Sequence, residues 1–252
     1  MKAAWFGNAT GVVIDYGILE TPGEAGIKGK ALEEKILKGL FSWRTDILAE
    51  NPPDFGLIDS GDGDITHAVY EFVRQSGTPF AASKNPNTFR MPTTEDTQEK
   101  RRFLECWANY QPKERVFLYM HHSIWWRQWV QQRFLTDPFD EQKQFNDGSL
   151  SLFSSDKTKE HHSFAHHMVS WEVREKFKKD LGKLEKKYAM VSVNDHWLDA
   201  MALAACAAGC LGFRLIQRES TQGREQRPEN RIAEDSKAFT MPDGRPYLIS
   251  QR

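Results

Sequence analysis

Residues 197–211 read Trp-Leu-Asp-Ala-Met-Ala-Leu-Ala-Ala-Cys-Ala-Ala-Gly-Cys-Leu, a stretch apolar on every helical face except at Asp199. A helix that is apolar all round belongs inside a core, so any fold of this chain must bury the segment and build around it. A carboxylate taken out of water costs several kcal/mol unless something compensates it. The natural compensators are a basic side chain or a cation. Asp199 is therefore the first candidate for a metal site.

The 252 residues suffice for one domain or two small ones with a sizeable core. The balance of 39% hydrophobic and 27% charged residues is that of a globular chain. No apolar run reaches spanning length, and the N-terminus lacks the pattern of a signal peptide, so no membrane partner is expected. Of the three cysteines, Cys206 and Cys210 are one helical turn apart, which is neither a disulfide framework nor a zinc-finger spacing. They read as small core residues in a reducing compartment, and the expected location is cytoplasmic.

A net charge of −1 conceals an uneven distribution. Residues 1–75 hold twelve acids and seven bases, whereas 98–133 and 173–188 each hold seven bases and three acids. Charge runs are usually solvated helix faces. The sharper reading is an acidic metal site flanked by basic surfaces that track a phosphate backbone.

Lys2 to Phe6 and Gly11 to Leu19 predict two strands joined by a turn at Gly7-Asn8. Helical spacing follows over 30–50, ended by Asn51-Pro52-Pro53, and again over 64–76, closing at Gly77. Between them Phe55-Gly56-Leu57-Ile58 predicts a buried strand, stopped by a turn rich in Asp and Gly. Further strands are expected over 78–83, 115–120, 149–153 and 190–193, and helices over 99–110 and 164–188. Residues 84–97 predict a polar loop, and 219–252 a flexible tail after a domain spanning 1–218. Strands alternating with helices after an opening hairpin indicate an α/β fold with a mixed sheet.

Asp59 stands where a predicted strand ends, the place where open α/β sheets collect ligands. Its plainer reading is turn chemistry, and Asp62 or Asp64 reads as a helix cap. The run does not fit a calcium loop, because Tyr70 falls where the bidentate Glu belongs. Asp195 and Asp199 are four apart and share a helix face with His196 beside them. Asp195 reads otherwise as an N-cap, and Asp199 as half of a buried salt bridge. An Asp at a strand end and an Asp on a buried helix resemble a split carboxylate cage for Mg2+ or Mn2+. The doubled histidines His161-His162 and His166-His167 have no third ligand at a known zinc spacing, and His121-His122 is a weaker signal still. Trp125, Trp126 and Trp129 near Arg127 and Arg133 offer base-stacking surfaces, although aromatic clusters more often form core. Phosphate-binding and nucleophile-elbow motifs are missing.

Three blocks in order carry a family resemblance: Gly11-Val12-Val13-Ile14-Asp15-Tyr16-Gly17, then Leu57-Ile58-Asp59-Ser60-Gly61 leading to Val69-Tyr70-Glu71, then His196-Trp197-Leu198-Asp199-Ala200. Over roughly residues 3–215 the chain resembles the C-terminal nuclease domain of the large terminase subunit of lambda-like tailed phages, on short motifs weighed by their order. The resemblance implies an RNase H-like mixed sheet flanked by helices and metal-dependent cutting of double-stranded DNA during genome packaging. It places the family's strand-end acid on Asp59, its helix acid on Asp199, and a lysine on Lys84. It also implies a motor or small terminase subunit and a portal or procapsid as partners. The family's opening strand carries another metal-binding Asp, which falls before this chain begins, and the ATPase domain is absent; Asp15 has no metal role there.

Two functions are therefore expected. The first is a divalent-metal-dependent endonuclease in which Asp59, Asp199 and Asp195 hold the metal, Asp195 or His196 orients water, and Lys84 neutralises developing phosphate charge. The second is a non-catalytic or degenerate terminase fragment that binds DNA or a portal or capsid partner.

Overall fold

A computed structural model describes residues 1–20, 26–77, 79–85, 105–154, 161–178 and 183–213. All of them fall in the first of two units of the chain, residues 1–216, so the tail expected over 219–252 lies outside the described residues. The described residues form a mixed α/β structure with mixed sheets flanked by helices.

The opening hairpin pairs β1 (Lys2–Gly7) with β2 (Thr10–Asp15) in antiparallel register. Asn8 and Ala9 both adopt positive φ, 47° and 58°. A two-residue turn matched to the twist of its strands requires this left-handed pair. The second strand ends at Asp15 rather than Leu19. β7 (Leu150–Leu152) joins the other edge of β2 in parallel, giving the order β1-β2-β7.

A second sheet has the order β3-β4-β6-β5. Its members are β3 (Gly56–Asp59), β4 (Phe80–Lys84), β5 (Cys106–Gln111) and β6 (Val116–His121). β3, β4 and β6 run parallel, and β5 is antiparallel to β6. Side chains alternate across a sheet, and here the alternation sorts two cores. Ile58, Phe80, Ala82 and Leu118 face α1 (Lys30–Glu50) and α2 (Thr66–Ser76), where Phe72 packs on Phe80 with ring centroids 5.6 Å apart. Leu57 and Cys106 face the opposite core, built on α3 (Ser123–Phe134), α4 (His162–Met168) and α5 (His196–Cys210). Leu198, Met201, Ala205 and Cys206 of α5 are completely buried there. The apolar segment that opened the sequence argument is thus the centre of this core.

Two expected helices are strands. The segment 99–110 contributes β5 from Cys106 onward, and the part before Glu105 lies outside the described residues. The charged stretch within 164–188 gives only the short α4, followed by a hairpin of β8 (Trp171–Lys178) and β9 (Lys183–Met190). Val173 and Phe177 are four apart, a spacing that a helix and a strand both place on one face, so the period does not discriminate. The hairpin wins through tertiary contacts: Trp171 stacks on Tyr188 at 5.3 Å, and the Tyr188 hydroxyl donates to Gln131 Oε1 of α3 at 2.9 Å. Residues 191–193, expected as a strand, form bends after β9. No helix among the described residues is long and apolar enough to cross a membrane.

Candidate functional site

The three parallel strands end at one sheet edge, because Asp59 is in register with Ser83 and Lys84 with Met120. Asp59, Lys84 and His121 are the last residues of β3, β4 and β6. Asp59 is two residues beyond Leu57 and so lies on the α5 face. Lys84 starts from the opposite face, yet its charge acts on Asp59 across the strand ends.

Asp59 is exposed and also performs its turn role, since its Oδ1 accepts the Gly61 N–H at 3.0 Å. Withdrawal from water raises its carboxyl above the ordinary value of 3.8, against the lowering effect of the Gly61 and Ser60 N–H groups and of Lys84. Asp62 and Asp64 make no side-chain cap on α2, which begins from Ile65 without one. Thr66 instead fixes the turn, its hydroxyl donating to the carbonyls of Ser60 and Asp62.

Asp199 occupies the first turn of α5, and Asp195 its N-cap position. Asp195 does not cap: its Oδ2 accepts instead from Trp171 Nε1 at 2.9 Å and from Arg127 Nη2 at 3.3 Å. Arg127, on α3, also donates to Asp199 Oδ1 through Nε and pairs with it through Nη2. Its guanidinium carbon lies 4.5 Å from the centroid of the Trp171 ring. The compensator of the apolar helix's acid is therefore Arg127, which fulfils the salt-bridge reading of Asp199. Burial still raises the Asp199 carboxyl, opposed by Arg127 and reinforced by the charges of Asp195 and Asp59. Asp59, at the end of β3, and Asp199, in the first turn of α5, thus belong to the same side of the sheet, where Leu57 packs against the α5 core. Among the described residues, however, the oxygens of Asp59, Asp195 and Asp199 do not close into a three-donor set within 4.8 Å.

His196 is exposed, with its ring 6.0 Å from that of His167, and no hydrogen bond joins it to Asp59 or Asp199 among the described residues. His167 Nδ1 accepts the Trp197 N–H at 3.2 Å, fixing the start of α5. His162 and His166 stack edge to face at 4.5 Å, and His161 bridges Tyr16 and the Phe153 carbonyl. Of the tryptophans, Trp126 is buried and its ring packs against Trp125 and Trp129, which are half-buried against the same core.

Two residues of the site entered the sequence reading only in other roles. Arg127 was read beside the tryptophans as a base-stacking neighbour, not as the partner of Asp199. His121 ends β6 and is buried, with its Nδ1 2.7 Å from Ser83 Oγ. Burial, then the charges of Arg127 and His122, lowers its pKa to about 4. It is therefore a neutral imidazole at pH 7, with the electronic form of a base or a metal ligand.

The edge thus gathers carboxylates, a lysine, an arginine and a neutral histidine, a set suited to binding a hard cation or a phosphate group. Its place is the carboxyl edge of parallel strands in a mixed α/β protein, where open α/β sheets collect ligands. In comparisons with known proteins, no family model, curated protein or solved structure matches the chain.

Proposed function

We propose that this chain is a divalent-metal-dependent DNA endonuclease domain with an RNase H-like fold, of the kind that serves a phage genome-packaging terminase. The observation that carries the reading is that Asp59, at the end of β3, lies on the face of the sheet that packs against α5, whose first turn carries Asp199. Two carboxylates on separate elements, both raised by partial withdrawal from water, gain from a shared counter-ion. Their oxygen donors match Mg2+ or Mn2+ in hardness.

In this reading Asp59 and Asp199 hold the metal and Asp195 stands as outer ligand. The metal supplies Lewis-acid polarisation of the phosphate and of the attacking water. Lys84 neutralises charge developing on the phosphate. His121, neutral and fixed by Ser83, adds no positive charge beside the carboxylates. His196 has less to do, because its ring lies with His167. The run 173–188, with seven bases and three acids, supplies the charge for a phosphate backbone of double-stranded DNA. A motor or small terminase subunit and a portal or procapsid would be the partners, in the host cytoplasm if the chain is phage-encoded.

A second reading, a non-catalytic or degenerate terminase fragment that binds DNA or a portal or capsid, has one observation on its side. Arg127 already neutralises Asp195 and Asp199, so a cation must displace it to use Asp199 fully. Incubation with supercoiled plasmid and Mn2+ or Mg2+, beside the Asp59→Ala/Asp199→Ala double variant, separates the two. Metal-dependent nicking absent from the variant supports the nuclease. Binding of plasmid without nicking by a folded chain supports the fragment.

A further inference from the structure

The chain's three cysteines come together although Cys106 is a hundred residues from the other two. Cys106 opens β5, while Cys206 and Cys210 lie one turn apart in the second half of α5. Their Sγ atoms all lie within 4.8 Å of one another, and Cys210 Sγ is 3.8 Å from Cys106 Sγ. Three sulfurs tetrahedrally disposed about Zn2+ at about 2.3 Å stand roughly 3.8 Å apart, so little movement brings this set to bonding distance.

We infer that Cys106, Cys206 and Cys210 form a three-thiolate site for a thiophilic d10 cation, of which Zn2+ is the representative. Cys206 is buried at the base, Cys106 is half-buried, and Cys210 is exposed. An ion enters from the Cys210 side, and that side leaves the fourth coordination position open to water or a small ligand.

Burial in the absence of an ion favours neutral thiols. The Cys206 thiol is held far above its ordinary range by hydrogen bonds with Cys106 and Cys210 and by desolvation. Loading exchanges three S–H protons for three metal–sulfur bonds and releases the protons to solvent, with no change in oxidation state. The soft donors reject Mg2+, which takes oxygen ligands. Cys206 is seven residues beyond Asp199, about 10 Å along the helix axis, so the thiolate site stands apart from the carboxylates. An ion there would tie β5 to α5, the helix that also carries Asp195 and Asp199 at its other end.

The test uses the full chain, reduced and kept free of oxygen, titrated with Co2+ as a spectroscopic probe and then with Zn2+. The expected result is one Co2+ per chain, a thiolate-to-cobalt charge-transfer band that Zn2+ erases, and proton release on loading. Zn2+ should also slow alkylation of the exposed Cys210 by about tenfold or more. The band should vanish in Cys210→Ser, a surface change whose fold is checked by circular dichroism, and persist in Asp59→Asn. Absence of the band in the wild-type chain overturns the site, as does an undiminished band in Cys210→Ser. A Cys106–Cys210 disulfide that forms on exposure to air at the same rate with or without Zn2+ also overturns it, in favour of a thiol pair.

Discussion

Arg127 on α3 donates to the Asp199 carboxylate on α5, and the same guanidinium reaches Asp195 at 3.3 Å. Because Asp195 also accepts from Trp171 at 2.9 Å, one cation joins two helices to the β8–β9 hairpin. The planar guanidinium over the Trp171 ring adds a stacking contact that a point charge does not reproduce. An apolar helix carrying one acid is tolerable for this reason.

Replacing Arg127 with Ala should leave Asp195 and Asp199 facing each other without their counter-charge. The pair is partly exposed, so the expected cost is discounted to about 2 kcal/mol, below that of breaking a fully buried pair. Arg127→Lys should recover less than half of it, because lysine neither bridges both acids nor stacks. Urea unfolding midpoints of the three proteins measure this. An unchanged midpoint in Arg127→Ala would show that the network contributes nothing to stability.

His121 gives a second expectation, with a defined sign. Its folded pKa, about 4, lies below the ordinary 6.5, so the unfolded chain binds more protons between those values. Stability carried by neutral His121 is thus fully present above pH 6.5 and is lost as pH falls through the folded pKa, by about 3 kcal/mol at most. His121→Gln, which retains a polar partner for Ser83, should flatten this acid limb relative to wild type. Asp59 and Asp199, with raised pKa values, act in the opposite direction, so the difference between the two proteins is the quantity to follow. Parallel pH–stability curves from pH 4 to 7 would remove His121 from the account.

How far the sequence disclosed this arrangement depended on whether the signal was local. The periodicity of Ala68, Val69, Phe72 and Val73 specifies α2, and Gly77, at φ 62°, ends it. The opening hairpin, the strand ending at Asp59 and the apolar α5 were equally legible, although the turn expected at Gly7-Asn8 is centred one residue later, on Asn8 and Ala9. β5 and β8–β9 were not: β5 is a strand through its pairing with β6, and packing on Gln131 overrides the helical tendency of the charged residues of β8–β9. Asp59 and Asp199 could be nominated individually, one as a strand-end acid and the other as an anomaly on a buried helix. Their partners could not, because Arg127, His121 and the convergence of Cys106 with Cys206 exist only once α3, β6 and α5 are assembled. The sequence held both compensators of Asp199 open, a basic residue or a cation, and only assembled helices bring a guanidinium to it.

If the edge cleaves phosphodiesters, Lys84→Ala should lower kcat by about 100-fold or more while leaving metal affinity near neutral pH little changed, as for loss of a group acting on transition-state charge. Lys84 also holds the Asp59 pKa down, so its removal should raise that pKa further and move the acid limb of the activity profile to higher pH. Single-turnover plasmid nicking across a pH series measures both effects. A loss confined to KM with an unmoved pH profile would make Lys84 a DNA-binding residue only.

The final expectation concerns Asp59 without metal. Its folded pKa is raised, so proton-linked stability is present at low pH and is lost as pH rises through the folded value. At pH 7 the ionised carboxylate is then a liability to the metal-free fold. Asp59→Asn removes the charge but keeps an Oδ1 to accept the Gly61 N–H, so the turn survives. The variant should therefore be more stable than wild type at pH 7 in chelator, with the gap closing as pH falls toward the ordinary carboxylate range. Metal should reverse the order, because a cation that binds only the folded wild type stabilises it by about 2.7 kcal/mol at a hundredfold excess over Kd. Urea midpoints with chelator and with Mg2+ or Mn2+ supply the four numbers needed. A variant less stable than wild type under both conditions would make Asp59 a turn residue and leave the metal to other groups. Reversal on adding metal would mark a site whose acids are kept at a cost in stability, as binding sites commonly are.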